Sequence, residues 1–395
     1  MADFFNEAMG TNGLETLSAD QLEELIIRAQ ALKADQEKPA RPTACPHCGS
    51  IAIKGHGKTG AGTPRMVCND CGKAFTYSGA DLHNARLSKN QLAALILGLV
   101  ENKTIPQLAD TMGTSHSTAH KYKIMFCDIL YQALIDQMLE RDATGNLAFR
   151  FHGLVQADEY YTAVSFKGKR NAEFFIFTLK RFPRHNMSNG EQDEYLMKHG
   201  LWEQVSEIPG YLQELRDNTR KHKHGISNDQ TCILVTIDQH DQIIAKSVSV
   251  GRLEKEDASK ILTGRLGNEV IFITDSHSSY PKIAKEEGVK AHIQILSGEH
   301  TKDGYSLASV NAVHSQMEKF FSPSQERTVA TKYLNQYLAL FLWNWQHKSL
   351  SLADRTLQMK RTIMDTWLKY NPSYKDIAKR PFDINTKGQF KITDV

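Results

Sequence analysis

Apolar positions along this chain change period once. Over the first third they recur every three to four residues, the spacing of one helix face. Leu22, Leu25, Ile26, Ala29 and Leu32 form a stripe behind Ser18, a predicted N-cap, so an amphipathic helix is expected over 18–34. A linker with two prolines, EKPARPT, follows at 37–43. A second helical stretch covers about 88–131. Ser88 is placed to cap a helix carrying Leu92, Leu95, Ile96 and Leu99. Thr104 is placed to cap a short second helix with Pro106 in its first turn. Ala109 is small enough for a close helix crossing, and Gly113 stands where a tight turn needs positive φ. Thr114 or Ser115 then caps a third helix bearing His116, Ser117, His120, Lys121 and Lys123. Helix, short glycine turn and polar helix is the helix-turn-helix pattern.

From residue 154 the apolar runs shorten and alternate with helical segments. Strands are predicted at 154–158, 171–179, 231–238, 242–250, 269–274 and 290–296, with a hairpin turn at Gln239-His240-Asp241. Helices are predicted at 254–262, at 280–287 and from about 311 onward. Between them, 183–229 is polar and reads as an insertion with helices near 191–198 and 211–216. The stripe Tyr333, Leu334, Tyr337, Leu338, Phe341 and Trp345 has helical spacing and reads as core. The expected fold class is therefore multidomain α/β. The order of strand, two further strands, helix, strand, helix, strand, helix is that of an RNase H-like mixed sheet, in which the first and fourth strands are neighbours. The expected domains are an acidic helix at 1–37 suited to self-association, a zinc ribbon at 38–80 and a helix-turn-helix domain at 81–142. A catalytic domain at 150–346 and a helical extension at 347–395 follow.

The ribbon rests on Cys45, Cys48, Cys68 and Cys71. They read CPHC, nineteen residues, CNDC. Two C-x2-C pairs at this separation predict one closed tetrahedral zinc site with a structural role. Cys127 and Cys232 remain as single thiols, expected to be buried. Nothing suggests disulfides, so a reducing compartment is expected. The N-terminus lacks the pattern of a secretory signal, and the longest apolar run, at 92–100, is about ten residues, too short to span a bilayer.

Charge is unevenly placed. Residues 1–37 hold eight acids against Arg28 and Lys33, a net −6; residues 38–123 hold eleven Lys and Arg against four acids, a net +7. A basic block around a ribbon and a helix-turn-helix suits a phosphate backbone. Ser115, His116, Ser117, His120 and Lys121, with Lys123, are the candidate DNA contacts. Asp158 lies inside a predicted strand, where a carboxylate is disfavoured, and Asp275 lies where an apolar strand emerges. Two carboxylates on adjacent strands repel unless a cation such as Mg²⁺ sits between them. The histidine-rich KHKHG at 221–225 reads as a second metal site, a DNA-backbone contact or, first, a solvated run, and Lys319 as a solvated group or a phosphate contact.

The stretches QADEYYTAVSFKGKR, FITDSHSSYPKIAKEEG and VNAVHSQMEKFF, with TKYLNQYLALFLWNW after them, resemble bacterial insertion-sequence DDE transposases, most closely the zinc-ribbon-bearing branch related to Merlin elements. The resemblance covers about residues 44–346. It implies a DNA transposase that binds terminal inverted repeats and uses Mg²⁺ or Mn²⁺ for strand cleavage and transfer, with Asp158 and Asp275 as the first two metal ligands. It also implies double-stranded DNA as partner, a homo-oligomer on that DNA, and a cytoplasmic, nucleoid-associated location. In the family a third acid follows in an N-x-x-E pattern. Here Asn311-Ala312-Val313 precedes His314, and the nearest acid is Glu318, one turn on along the same face. Either His314 replaces the carboxylate or Glu318 supplies it; Glu318 is the expected magnesium ligand. If neither does, a non-catalytic DNA-binding regulator on a transposase scaffold is the alternative. A repair nuclease is a third reading.

Overall fold

The computed structural model describes residues 18, 42–58, 64–76, 82, 87–220, 226–227, 229–321, 329–370, 372–380 and 384–387. The helix expected at 18–34, apart from Ser18, and the histidine run at 221–225 lie outside the described residues. The protein is mixed α/β, with a three-stranded antiparallel sheet and a five-stranded mixed sheet. Two compact units share the chain: Met1–Gln137 with Ala339–Lys379, and Met138–Leu338 with Arg380–Val395. The stretch expected as an extension at 347–395 is thus divided between the two.

In the first unit, β1 (Ile53–Lys58), β2 (Pro64–Cys68) and β3 (Ala74–Thr76) pair in chain order. Three helices follow: α1 (Lys89–Val100), α2 (Ile105–Met112) and α3 (His116–Leu139), whose last two residues belong to the second unit. Ser88 with Gln91, and Thr104 with Gln107, form reciprocal capping boxes that satisfy the orphan N–H groups at the starts of α1 and α2. Gly113 ends α2 in the left-handed region at φ 61, a conformation in which a Cβ is strained. Ser115 Oγ accepts from Thr118 N at 3.2 Å and starts α3. Near its middle α3 is buried all round, from Tyr122 to Tyr131. Part of that cover comes from α11 (Leu352–Tyr370), where Trp367, 1% exposed, meets Phe126 edge to face at 5.5 Å. α12 (Tyr374–Lys379) closes the unit.

In the second unit the sheet is built from β4 (Leu154–Ala163), β5 (Gln230–Asp238), β6 (Ile243–Val250), β7 (Ile271–Asp275) and β8 (Ala291–Ile295). Their spatial order is β6-β5-β4-β7-β8. The β4–β5 and β5–β6 pairs are antiparallel; β4–β7 and β7–β8 are parallel. α7 (Lys255–Leu262) and α8 (Tyr280–Glu287) cover one face, where Val155, Ala157, Leu234, Phe272 and Tyr280 share a core. α9 (Ala308–Phe321) covers β4 and β5. The insertion forms α4 (Asn189–Lys198), α5 (Trp202–Ser206) and α6 (Tyr211–Arg220) around Leu196, Val205 and Leu215. α10 (Leu334–Gln346), whose residues from Ala339 on belong to the first unit, carries the aromatic stripe after Tyr333, most of it buried as expected.

One predicted strand, at 171–179, is absent. Its centre, Phe174–Thr178, is a single wide π turn closed by Leu179 N donating to Phe174 O at 3.0 Å. Asn171 Oδ1 accepts from Phe174 N and nucleates that turn. Phe174, Phe175 and Ile176 are all buried, as a strand covered on both faces would also be. An apolar run of this length cannot by itself separate the two outcomes.

Gly98 tests how closely α1 and α2 approach. A Cβ there would stand 2.5 Å from Leu108 Cδ1, and Leu108 is fully buried. Gly98→Val is expected to lower stability by about 1–3 kcal/mol through overpacking. The check is a lower urea midpoint at unchanged slope. An unaltered midpoint would mean that the helices have room to part.

Candidate metal centres and nucleic-acid interface

The four ribbon cysteines converge, each offering a sulfur within 4.8 Å of the others. Cys45 Sγ lies 3.7 Å from Cys71 Sγ, and Cys48 Sγ 3.6 Å from Cys68 Sγ. A tetrahedral ion with bonds of about 2.3 Å spaces its sulfurs about 3.8 Å apart, so the set fits zinc in size and chemistry. Local backbone makes the fit. In both CxxCG repeats the glycine N–H returns to the first cysteine's carbonyl: Gly49 N to Cys45 O at 2.9 Å and Gly72 N to Cys68 O at 3.0 Å. Both glycines have positive φ, 72 and 68. The four thiols act on one another: the Cys71 backbone N–H, above other causes, holds Cys68 down at about 7, while Cys48, despite the Ser50 backbone N–H, is pushed up to about 12 by burial and the neighbouring thiols. Cys127 and Cys232 are buried, and burial pushes each thiol up to about 12, so neither is a reactive thiolate.

The second centre lies in the five-stranded sheet. β4 and β7 run in parallel register, Leu154 beside Ile271 through Ala157 beside Thr274. The next step along each strand is Asp158 and Asp275. Asp158, Asp275 and Glu159 each offer a carboxylate oxygen, all within 4.8 Å of one another, a set that could hold a metal ion. Asp275 Oδ1 accepts from His277 N at 2.9 Å, which fixes the turn leaving β7. Burial, more than the nearby Asp275, raises Asp158 to about 6. Burial likewise raises Glu159 to about 8, although Tyr280 Oη donates to its Oε1 at 2.5 Å. Crowding and partial burial of these carboxylates favour a neutralising proton or cation.

Sequence reasoning missed Glu159. Strand alternation assigns it to the face opposite Asp158, beside Tyr280 in the α8 layer. The register explains how it still reaches the cluster. β7 ends at Asp275, so beyond Asp158 the β4 edge has no strand partner on that side and the longer glutamate side chain can enter the gap.

Gln156 and Asp158 face α9. Gln156 Oε1 accepts from Val310 N at 3.0 Å, and its Nε2 donates to Ser309 Oγ at 3.3 Å, so the start of α9 is pinned to β4. One turn on, His314 Nδ1 stands 4.0 Å from Asp158 Oδ2, with its ring 5.6 Å from that of Tyr160. Burial lowers His314 to about 4, so it is neutral at pH 7. Its Nε2 is buried and has no hydrogen-bond partner among the described residues. Glu318 is exposed and outside the acidic cluster, lying instead by Tyr160, whose hydroxyl is raised by burial and then by that charge. Glu318, the expected magnesium ligand, is thus not among the clustered carboxylates, of which Glu159 is the third. Lys319 is exposed.

The candidate DNA contacts divide. Ser115, His116, Ser117 and Lys121 are exposed on the first turns of α3, and His120 is half-buried with its ring 6.2 Å from that of Tyr374. Lys123 is 2% exposed, and its ammonium donates to Lys103 O at 2.6 Å. It secures the loop between α1 and α2 and is corrected to a structural residue with no surface to offer a phosphate. Among the described residues, no helix is long and apolar enough to cross a membrane. No protein-family model, curated protein or solved structure matches the chain.

Two measurements check these centres. The purified protein is expected to carry about one zinc per chain, and Cys68→Ser to lose it, read by elemental analysis. Retention of that zinc by the variant would remove the four-cysteine site. For Glu159 the sign follows from its raised pKa. A carboxyl that titrates near 8 when folded and at 4.5 ordinarily binds more protons folded than unfolded between those values. Its contribution to stability is thus present below about pH 4.5 and lost as pH rises through about 8. In chelator, Glu159→Gln is expected to be more stable than the parent at about pH 8.5 by about 1–3 kcal/mol and to lose that advantage near pH 4. Parallel stability–pH curves for the two proteins would contradict a buried, raised Glu159.

Proposed function

We propose that this protein is a DDE-type DNA transposase. On this reading it binds the terminal inverted repeats of its element, cuts a strand at the element end and transfers it to target DNA. The observation that carries the reading is the meeting of Asp158 and Asp275 on adjacent parallel strands of a sheet ordered β6-β5-β4-β7-β8. Numbered within that sheet, the order is 3-2-1-4-5, the RNase H-like plan. The sequence resemblance independently selects the same two aspartates.

Asp158 and Asp275, with Glu159 beside them, would hold Mg²⁺ or Mn²⁺. Such an ion, when bound, stabilises charge on a phosphate oxygen and makes a water or hydroxyl a better nucleophile. The chain's own groups do the rest. The paired strands keep the carboxylates rigid. His314, kept neutral by burial, stands beside Asp158 and carries one ring nitrogen with a lone pair, suited to ligation or to orienting a water. Tyr280 steers Glu159 by its hydrogen bond. The zinc ribbon and the exposed start of α3 would dock the duplex, through phosphates first and base edges second. Assembly as a homo-oligomer would pair the two ends of the element.

One observation favours a second reading, a non-catalytic DNA-binding regulator on the same scaffold. The helix position that would bear the third acid holds His314, and Glu318 lies outside the cluster. Nicking of duplexes carrying the flanking inverted repeats decides between them. Asp158→Ala and Asp275→Ala are each expected to reduce Mn²⁺-dependent nicking by about 10²-fold or more while end binding survives. His314→Ala should fall as far only if its nitrogen serves the reaction, and Glu318→Ala should stay near the parent. A parent protein that binds these ends and never cuts them would leave the regulator reading standing.

A further inference from the structure

Each of the three clustered carboxylates has one oxygen spent within the protein and one left open. Asp158 Oδ1 accepts from Glu159 N at 2.8 Å, Asp275 Oδ1 from His277 N at 2.9 Å, and Glu159 Oε1 from Tyr280 Oη at 2.5 Å. Among the described residues, no hydrogen bond reaches Asp158 Oδ2, Asp275 Oδ2 or Glu159 Oε2. The three donors differ in kind. Two are backbone N–H groups, which no side-chain substitution removes. The third is a phenol that stands 121 residues from its carboxylate along the chain.

One turn sets both Asp275 and that phenol. The His277 N–H returns to Asp275 Oδ1, and His277 O accepts from Tyr280 N at 3.4 Å as α8 begins. Pro281 in the first turn of α8 suits this start. The Tyr280 side chain has no exposed surface, and its ring meets that of Phe272 edge to face at 5.9 Å. A ring packed in this way has no room to follow a moving carboxylate, so the hydroxyl fixes Glu159 and not the reverse.

A carboxylate gripped by one oxygen is a one-oxygen ligand. Mg²⁺ accepts such ligands, because it is small, demands octahedral geometry and keeps several waters. Ca²⁺ is larger, takes about six to eight oxygens and readily binds a carboxylate through both. Glu159 has the longest side chain of the three acids and is the one best able to turn both oxygens toward an ion. We propose that Tyr280 is a specificity-determining residue: by holding Glu159 Oε1 it keeps the centre to three single oxygens and disfavours Ca²⁺ relative to Mg²⁺. The inference rests on the metal-dependent reading given above and adds what selects the ion.

The test uses the full chain with zinc in its ribbon. Mn²⁺ is the reporter, its free form followed by electron paramagnetic resonance, and Mg²⁺ or Ca²⁺ is titrated in as competitor. The Mn²⁺ held at the acidic centre is the part lost on combining Asp158→Ala with Asp275→Ala. In the parent, Ca²⁺ is expected to displace that Mn²⁺ no more readily than Mg²⁺ does. Tyr280→Phe is expected to move the affinity ratio toward Ca²⁺ by about tenfold, the scale of one hydrogen bond to a charged group. Adding Glu159→Gln is expected to cancel that shift, since an amide cannot close on an ion with two charged oxygens. A tyrosine that served packing alone would weaken both ions alike and leave the ratio where it was. An unmoved ratio in Tyr280→Phe, or a shift that persists in the double variant, overturns the proposal. Should Tyr280→Phe fold poorly, the parent decides: a preference for Ca²⁺ of about tenfold or more overturns the proposal, and parity or a preference for Mg²⁺ supports it. A parent that binds no Mn²⁺ under the control of the two aspartates removes the metal-dependent reading as well. Normal Mn²⁺ binding with an unmoved ratio removes the role of Tyr280 alone.

Discussion

The parallel register of β4 and β7 is the constraint on which the rest of the second unit depends. It puts two aspartates from distant parts of the chain side by side and leaves them little water. Hydrogen bonding along the ladder favours the register, while like charge opposes it. The fold tolerates the conflict because apolar layers lock both strands, Val155 and Ala157 of β4 against Phe272 of β7 and Tyr280 of α8. A carboxylate pair so placed favours a proton or a cation beside it.

Around that pair, each neighbour meets a different need. Gln156 joins the start of α9 to β4, which sets where His314 stands. Burial keeps His314 neutral, so the helix adds a lone pair without adding charge. Glu159 takes a route around the end of β7 and is held there by a tyrosine with no exposed surface. A centre with three carboxylates and a neutral imidazole is poorer in charge than one in which α9 supplied an acid.

The first unit solves a different problem. Forty-odd residues of ribbon have few apolar groups to bury: Met66 and Phe75, with Cys45 and Cys68, make up the buried part of its cluster. Four sulfurs brought to zinc distances substitute for a core that the segment cannot build. The helices after it need no such aid. Their caps are local, Gly113 is placed at a turn, and α3 is covered on all sides at its middle. That cover explains Lys123. Pattern alone extends the polar face of α3 to residue 123, but α3 enters the core before that point, and the ammonium is spent on a backbone carbonyl.

What could be read from the primary chain was whatever depends on near neighbours. Caps at Ser88 and Thr104, the turn at Gly113 and the CxxCG knuckles follow from local hydrogen bonds and φ preferences, so local order encodes them. The strands and helices of the sheet were also legible, since period-two and period-3.6 patterns arise from one-sided burial. Asp158 and Asp275 were identifiable as candidates because a carboxylate in or at the end of an apolar strand is out of place. Three matters required the tertiary structure. The run at 171–179 became a wide turn, with Asn171 accepting from Phe174 N and Phe174, Phe175 and Ile176 all buried. Glu159 joined the cluster because β7 stops one residue short of it, a fact of register between segments more than a hundred positions apart. Glu318 was left outside because the docking point of α9, set at Gln156 and Val310, decides which helical turn faces the aspartates. Each of these outcomes is fixed by the relative placement of distant segments, and no local pattern carries that information.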